Sequence, residues 1–305
     1  MKYLLFPPLG RELSMLVLGT DVFDRLTEEQ CFELLDAWID LGGNAIDTGR
    51  EYGPAESVLG RWLAARTPER ELTIVTKGAH PDESWASRMT PEAIHADLAE
   101  SLGELGVEAI DVYLLHRDDP SVAVGVILEA VNEEKRVGRI RVPGASNWTP
   151  ARLEEAEAYA AAHGLEPFAC SSPGLSLAVP VEAPWPGCVG ANDPASRAWY
   201  ERRQMPVLAW SSQAGGYFAG VRSERLLEVY GSEENAERLR RAEELARAKG
   251  CTANQLALAW VLRQPFPVWA AIGPHNVGEL RSSVAAFEVE LTDEEARRLN
   301  LEEGE

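Results

Sequence analysis

The chain has 305 residues, enough for one large barrel or two medium domains, so a small disulfide-stapled fold is excluded. Its 29 Lys and Arg against 49 Asp and Glu give a formal net charge of −20. That balance is the opposite of what a nucleic acid or an anionic membrane attracts, so we expect neither as a partner. The 45% hydrophobic and 26% charged fractions are typical of a globular protein with a solvated acidic surface.

Neither the cysteines nor the N-terminus indicates secretion. The four cysteines lack a CxxC pair and a zinc-ligand spacing, so we interpret them as reduced thiols. Residues 1–10 lack the apolar core and cleavage site of a signal peptide, and no apolar run reaches the roughly 18 residues that span a bilayer. We therefore expect a cytoplasmic protein. The five His are scattered without a metal-ligand spacing, so no metal site is predicted.

Short apolar runs alternate with amphipathic stretches along the whole chain. Apolar residues recur on one helical face in residues 27–41 and 93–105. Capping residues predict helix starts at Thr27, Thr90, Thr149 and Thr292. The predicted strands are residues 15–18, 45–47, 72–76, 110–115, 140–144, 168–171, 206–209 and 268–272.

Eight strands that alternate with helices predict an α/β fold, a single (β/α)8 TIM-barrel domain over residues 1–305 with an extra helical segment at its C-terminal end. A doubly wound sheet is the competing layout, but no GxGxxG follows the first strand. Residues 175–200 form a long irregular stretch after the sixth strand. Because that is the catalytic face of a barrel, we expect long loops there to form a lid or pocket wall.

Acid–base side chains follow three neighbouring predicted strands. Asp47 ends the second strand and Tyr52 lies in the loop after it, while Lys77 directly follows the third strand and His116 the fourth. A tyrosine hydroxyl has a pKa near 10, and a nearby ammonium such as that of Lys77 lowers it. Asp47 could hold Lys77 as an ion pair, while His116 could orient a carbonyl oxygen. Together these residues predict a site that delivers a proton to a carbonyl.

With these residues in this order, the sequence resembles the aldo-keto reductase family over essentially the full chain. The most specific motif lies in residues 44–60 and is followed in order by matches at residues 76–77, 111–116 and 144–147. The resemblance implies a barrel that binds NADP(H), or less often NAD(H), and an oxidoreductase that reduces an aldehyde or ketone to an alcohol by hydride transfer. Tyr52 would be the general acid, Lys77 and Asp47 the pair that tunes it, and His116 the residue that orients the carbonyl.

The resemblance also implies a cofactor site along the ends of several strands. Ser146 and Asn147 would bind the nicotinamide carboxamide, and Trp210 would stack on the nicotinamide ring. The further cofactor-binding residues would be Thr20, Asp47, Ser172, Ser211, Ser212, Gly215, Gly273, His275, Glu279 and Ser283.

Two regions depart from the family pattern. Ser172 stands where Gln is common, and Leu175 replaces an aromatic residue. After the eighth strand, Glu279 occupies the usual Arg position and Ser283 the usual Asn. A carboxylate repels a 2′-phosphate but accepts hydrogen bonds from a free ribose hydroxyl, whereas a helix N-terminus with His275, Asn276 and Arg281 could still attract phosphate. We expect NADP(H), with a selectivity that is relaxed or shifted toward NADH.

Aromatic and charged side chains of the catalytic-face loops suggest a sugar-like aldehyde or ketone as one class of small-molecule substrate. A barrel glycosidase is disfavoured, because it needs two carboxylates and the site supplies only Asp47. The open alternative is a cofactor-binding regulatory protein on the same barrel with little turnover. We expect a monomer or a weak homo-oligomer. The predicted substrate-pocket residues are Phe23, Trp85, Arg117, Trp148 and Trp185.

Overall fold

An N-terminal hairpin precedes the barrel in the computed structural model, which describes residues 1–66 and 71–302. Strand β1 (Tyr3–Phe6) pairs antiparallel with β2 (Arg11–Ser14). The turn ends at Gly10, whose φ of +65° lies in the left-handed region that glycine adopts without strain. The Gly10 N–H donates to the carbonyl oxygen of Phe6 at 3.1 Å. This hairpin was not predicted from the sequence.

Parallel strands follow and close into a barrel in the order β10-β3-β4-β5-β6-β7-β8-β9. They are β3 (Leu16–Gly19), β4 (Ala45–Asp47), β5 (Thr73–Gly78), β6 (Ile110–Leu115), β7 (Ile140–Ser146), β8 (Ser171–Ser172), β9 (Val207–Ala209) and β10 (Val268–Ile272). The barrel is closed because β10 pairs with both β3 and β9. The predicted (β/α)8 TIM barrel is confirmed, although its sixth strand is shorter and lies later than residues 168–171.

Helices surround this barrel, and the predicted starts at Thr27, Thr90, Thr149 and Thr292 are confirmed, because each of these hydroxyls caps a helix. The last helix provides the predicted C-terminal segment. Among the described residues, no helix is both long and apolar enough to cross a membrane. The helices are α1 (Glu28–Asp40), α2 (Ala55–Ala65), α3 (Pro91–Leu105), α4 (Val124–Arg136), α5 (Pro150–His163), α6 (Pro194–Arg203), α7 (Glu224–Tyr230), α8 (Glu233–Lys249), α9 (Ala253–Leu262), α10 (Val277–Val284) and α11 (Asp293–Leu299).

The hairpin and the barrel interior share one apolar cluster. Phe6 packs edge-on against Trp269, with ring centroids 4.9 Å apart, and both side chains are fully buried. Val17, Val75 and further inward-facing strand residues complete this cluster. The barrel interior is therefore a packed apolar core. In such a barrel the polar side chains of a functional site lie at the carboxyl ends of the strands.

Candidate active site

Polar side chains at the ends of β4, β5 and β6 meet at one edge of the barrel. Asp47 is the last residue of β4, Lys77 is the penultimate residue of β5, and His116 directly follows β6. The Lys77 ammonium donates to Asp47 Oδ2 at 2.6 Å and to the Thr48 carbonyl oxygen at 2.8 Å. Lys77 is 1% and Asp47 8% exposed. The predicted ion pair is therefore present and buried.

The loop after β4 places Tyr52 against this ion pair. The Lys77 ammonium lies 4.7 Å from the centre of the Tyr52 ring. The ring of His116 meets that of Tyr52 edge-on at a centroid distance of 5.7 Å. Backbone hydrogen bonds from Arg50 to Lys77 at 3.1 Å and from Tyr52 to Gly49 at 2.9 Å hold the loop. All the predicted catalytic residues thus share one site.

Burial decides the protonation state of Tyr52. It raises the pKa of the hydroxyl; the Lys77 charge lowers it, while the Asp47 charge raises it again. The net shift is upward, so the predicted lowering by Lys77 occurs but is outweighed by desolvation. Burial alone would lower the pKa of Lys77, yet the charge of Asp47 and the hydrogen bond to its carboxylate reverse this and keep the ammonium charged. At neutral pH Tyr52 therefore holds the proton that a general acid needs.

His116 is a neutral imidazole beside this proton donor. Burial, together with the positive charges of Lys77, Arg117 and His80, holds the pKa of His116 well below its ordinary value. Its Nδ1 is buried and has no hydrogen-bond partner among the residues that the structure describes. A neutral imidazole carries one N–H donor, so His116 can donate a hydrogen bond to an oxygen without carrying charge.

A second histidine, which was not predicted from the sequence, lies beside His116. The ring centroids of His80 and His116 are 4.8 Å apart, and that of Trp85 lies 5.6 Å from His80. The Nδ1 of His80 lies 2.8 Å from the Pro81 carbonyl oxygen. His80 comes two residues after β5, so the rule that strand ends carry function could have identified it.

The predicted carboxamide-binding residues form one hydrogen-bonded cluster next to His116. Asn147 Nδ2 donates to the His116 carbonyl oxygen and to Ser146 Oγ, both at 3.0 Å. Ser146 Oγ donates in turn to the Ser172 carbonyl oxygen at 3.0 Å, and Ser172 Oγ to that of Leu208 at 2.7 Å. The structure thus brings Ser146, Asn147 and Ser172 together, with their polar groups engaged within the protein.

Trp210 directly follows β9 and is partly exposed. Its Nε1 is buried and has no hydrogen-bond partner among the described residues. The Gly174 backbone packs against the ring so closely that a Cβ at that position would lie 2.9 Å from it. The Trp185 ring approaches from the loop, at a centroid distance of 6.4 Å. The ring is therefore fixed by its surroundings while one part stays accessible.

The predicted irregular stretch, residues 175–200, is irregular only up to α6, which begins at Pro194. It folds back over the barrel mouth, where the Val189 N–H donates to Asn147 Oδ1 at 3.1 Å. With Trp210, Ser211 and Tyr230 it encloses a cavity of about 320 Å³. The loop therefore forms a wall beside the candidate nicotinamide position.

Beyond Trp210, the loop after β9 contacts β10 and the C-terminal end of α10. Ser211 and Gly215 have φ values of 52° and 59°, both left-handed. Ser212 Oγ donates to the Ala271 carbonyl oxygen at 2.5 Å, and Gln213 Nε2 donates to Ser283 Oγ at 3.2 Å. One connected region thus contains Ser211, Ser212, Gly215 and Ser283. Gln213, which was not predicted from the sequence, links the loop to Ser283.

Thr20 and Gly273 lie at the carboxyl ends of the paired strands β3 and β10. Thr20 Oγ1 donates to the Asp47 carbonyl oxygen at 3.1 Å. A Cβ at Gly273 would lie 3.2 Å from Asp21 Oδ1, which leaves little room for any side chain at this position. The backbone of residue 273 can therefore approach a ligand closely.

Glu279 lies across the N-terminus of α10. Its carboxylate accepts hydrogen bonds from the His275 N–H and from Asn276 Nδ2, both at 2.9 Å. The His275 Nδ1 lies 3.3 Å from the same carboxylate, and Asn276 Oδ1 accepts from the Glu279 N–H. The predicted anion site at this helix end is therefore occupied by the protein's own carboxylate.

The predicted substrate-pocket residues divide into three groups. Phe23 and Trp148 are core side chains, 1% and 0% exposed, so they have no surface to offer a ligand and their prediction as pocket residues is corrected. Trp85 and Trp185 are 45% and 54% exposed and can contact a substrate. Arg117 is buried beside His116. Within the described parts of the chain, no cluster of His, Cys, Asp and Glu suited to a metal ion is found.

Residues 15–301 match the model of the aldo/keto reductase family, and the chain belongs to this family. Norsolorinic acid reductase of Emericella nidulans is 28% identical over 95% of this chain and 78% of its own length. An uncharacterized oxidoreductase of Bacillus subtilis is 28% identical over 98% of this chain and 95% of its own. A putative aryl-alcohol dehydrogenase of Saccharomyces cerevisiae is 24% identical over 95% and 83%, respectively.

Proposed function

We propose that this protein is an NAD(P)H-dependent carbonyl reductase, working as one barrel domain over residues 1–305, that converts an aldehyde or ketone to an alcohol. The observation that carries the proposal is the placement of a protonated Tyr52 beside the buried Lys77–Asp47 pair and the neutral His116. Residues 67–70 and 303–305 of the proposed domain lie outside the described residues. When bound, the nicotinamide would supply the hydride that reaches the carbonyl carbon.

Tyr52 is proposed to deliver the proton. Its hydroxyl donates to the carbonyl oxygen as negative charge develops there, so the alcohol O–H forms and Tyr52 is left ionised. The ammonium of Lys77 stabilises the ionised Tyr52, and Asp47 keeps that ammonium in place. His116 donates a hydrogen bond to the same carbonyl oxygen and orients it.

The residues at the nicotinamide end fit the cofactor. Trp210 offers a fixed, partly exposed ring with an unpartnered Nε1, which supports its proposed stacking role. Ser146 and Asn147 would exchange hydrogen bonds within their cluster for bonds to the carboxamide. Ser172 is shorter than the Gln common in the family, and its hydroxyl already donates to the Leu208 carbonyl oxygen, so Ser146 and Asn147 would provide the side-chain contacts to the carboxamide.

Turnover of a reactive aldehyde tests the proposal. We expect protein mixed with NADPH or NADH and a nitrobenzaldehyde to consume the reduced cofactor, measured as loss of its absorbance. A regulatory protein on the same barrel would quench or enhance cofactor fluorescence on binding but leave the absorbance constant. Binding without consumption of the cofactor, over a panel of aryl aldehydes and aldoses, would therefore favour the alternative function.

Aromatic carbonyls are the substrate class that we propose over sugars. The exposed Trp85 and Trp185 can stack on a flat ring, while burial of Phe23 and Trp148 removes two walls from the expected sugar-binding surface. One relative is named an aryl-alcohol dehydrogenase, which supports the same class. Among the aryl aldehydes and aldoses tested, the aryl aldehydes should have the higher kcat/KM. An aldose with a higher kcat/KM than every aryl aldehyde would favour the sugar hypothesis.

The position of Glu279 predicts how the protein selects its cofactor. Its carboxylate would face the adenine ribose, where it repels a 2′-phosphate and can accept a hydrogen bond from a 2′-hydroxyl. We expect an NADPH preference below about 100-fold, or about 2.7 kcal/mol, and an outright NADH preference is compatible with this bound. Titrating both reduced cofactors by fluorescence gives the two dissociation constants.

A matched pair of variants separates selectivity from helix capping. Glu279→Gln should tighten NADPH binding relative to NADH, because it removes the repelling charge and keeps an acceptor oxygen. Glu295→Gln is the control, since Glu295 occupies the same third helical position in the capping box of α11. Two results would show that Glu279 does not discriminate between a 2′-phosphate and a 2′-hydroxyl. One is an NADPH preference above 100-fold in the unmodified protein, and the other is an unchanged ratio of the NADPH and NADH dissociation constants in Glu279→Gln.

A further inference from the structure

Arg117 is a buried cation that no carboxylate neutralises among the described residues. It is 7% exposed and directly follows His116. Its Nη1 donates to the His116 carbonyl oxygen at 2.8 Å, and its Nε donates a long hydrogen bond to the Pro186 carbonyl oxygen at 3.4 Å. No protein partner is found for Nη2 within the described ranges. Such a charge is costly to bury unless an anion offsets it.

Four other cationic side chains around this end of the barrel have an acidic partner. Lys77 binds Asp47 at 2.6 Å, and Arg152 binds Asp118 at 3.1 Å. The remaining pairs are Arg88 with Asp97, and Arg50 with Glu51, Asp97 and Glu100. Unlike these four, Arg117 has no acidic partner among the described residues, so its guanidinium has unused binding capacity.

The guanidinium of Arg117 lies between the backbone of His116 and the loop at Pro186. Its positive charge contributes to lowering the pKa values of both His116 and His80. The loop covers the side-chain stem, since a Cβ at Gly187 would lie 3.4 Å from Arg117 Cδ. The left-handed φ of +72° at Gly187 lets the loop make this close approach. The stem is thus fixed, and the guanidinium is bonded to the backbone of the residue that carries the carbonyl-orienting imidazole.

We propose that the substrate carries an anionic group, a carboxylate or a phosphate, that binds Arg117 while its carbonyl lies between Tyr52 and His116. The proposal rests on the reductase function above and names the substrate class of that site. A guanidinium pairs with either anion through two parallel hydrogen bonds, and Nη2 is available for one of them. Because the chain has a net charge of −20, its surface repels anions, and a buried cation provides the local attraction that such a substrate needs.

Matched aldehydes test this directly. Two benzoates that carry a formyl group, one in the para and one in the meta position, are compared in kcat/KM with their neutral methyl esters, and para-formylphenyl phosphate forms the phosphate arm. We expect at least one anionic aldehyde to exceed its neutral counterpart by about 10- to 100-fold, the range for a charge-assisted hydrogen bond. The anionic aldehyde with the highest kcat/KM shows whether the site prefers a carboxylate or a phosphate. Faster reduction of the neutral esters would overturn the proposal, whereas no turnover of any aldehyde would refute the reductase function instead.

Variants assign the effect to the guanidinium. Arg117→Met should reduce the ratio of kcat/KM for the anionic aldehyde to that for its neutral ester to about one, while Arg117→Lys should keep part of the preference. Arg247→Met on α8 is the control, because within the described part of the chain its Nε also bonds only a backbone oxygen, that of Glu243 at 3.2 Å. Retention of the full preference in Arg117→Met would overturn the assignment.

A measurement on the unmodified protein covers the case in which Arg117→Met does not fold. Competitive inhibition of ester reduction by para-methylbenzoate is compared with that by para-methylbenzamide, which has nearly the same shape. We expect the benzoate to bind about tenfold or more tightly, as one charge-assisted contact gives. Equal inhibition constants would overturn the proposal without any variant.

Discussion

Replacing Tyr52 by Phe is expected to lower kcat/KM for aldehyde reduction by about 10²- to 10⁴-fold, the usual contribution of a general acid. The substitution removes only the hydroxyl, so the ring keeps its contacts with the Lys77 ammonium at 4.7 Å and with the His116 ring. The carbonyl oxygen would then have no proton donor as negative charge develops on it. Steady-state consumption of reduced cofactor, with an aryl aldehyde as substrate, measures the loss.

Tyr159→Phe is the matched control for this variant. It makes the same chemical change on α5, where the hydroxyl donates to Glu129 at 2.7 Å on the exposed surface. Cofactor affinity, read by fluorescence, should stay within about twofold in both variants, because neither hydroxyl is part of the proposed cofactor site. Tyr52→Phe that retains more than a tenth of the original kcat/KM would contradict the role of Tyr52 as acid.

The pH profile gives Tyr52 a second signature. Burial raises the pKa of its hydroxyl, so the protonated form predominates up to and beyond the ordinary tyrosine pKa near 10. Reduction needs that protonated form and should therefore decline only on the alkaline side, as pH rises through the raised pKa. A decline between pH 6 and 8 would instead point to an acid with a pKa in the range of histidine.

The candidate catalytic residues could be predicted because each lies at or just after the end of a short strand with a recognisable pattern. Parallel closure then brings Asp47, Lys77 and His116 to one edge, whatever the lengths of the intervening helices. The capping signals at Thr27 and Thr292 were equally local, since a hydroxyl and a side chain three residues later satisfy each other's backbone amides. Local chemistry of this kind is readable from sequence.

The features that could not be predicted depend on neighbours distant in the chain. The N-terminal hairpin is stabilised by the contact between Phe6 and Trp269. The local sequence pattern does not predict this contact, because the two residues are far apart in the chain. Phe23 and Trp148 have the same apolar character whether they line a pocket or fill the core, and only the structure shows that they are buried. The pKa of Tyr52 likewise follows from the balance between burial and charge, which the spacing to Lys77 does not reveal.

Lys77→Met is expected to lower the free energy of unfolding by about 3–5 kcal/mol, because it leaves the Asp47 carboxylate buried without its cation. That carboxylate now accepts from Lys77 at 2.6 Å, and only 8% of Asp47 is exposed. The variant should also lose reduction activity, because an ionised Tyr52 would have no ammonium to stabilise it. Guanidinium denaturation and steady-state kinetics measure the two losses separately.

Arg61→Met provides the control for stability. Arg61 binds Glu28 at the same 2.6 Å, but the two side chains are 51% and 46% exposed. An exposed ion pair contributes about 0–1 kcal/mol, so this variant should be nearly as stable as the unmodified protein. Similar losses in Lys77→Met and Arg61→Met would mean that burial does not strengthen the dependence of Asp47 on its partner.

The double variant Asp47→Asn with Lys77→Met separates the structural from the chemical role of the pair. Removing both charges eliminates the unpaired carboxylate, and replacing a buried ion pair with neutral groups is often nearly neutral for stability. We therefore expect the double variant to regain most of the stability lost in Lys77→Met while remaining inactive. Recovery of activity along with stability would show that Lys77 only maintains the fold, and the ammonium would then have no part in stabilising the ionised Tyr52.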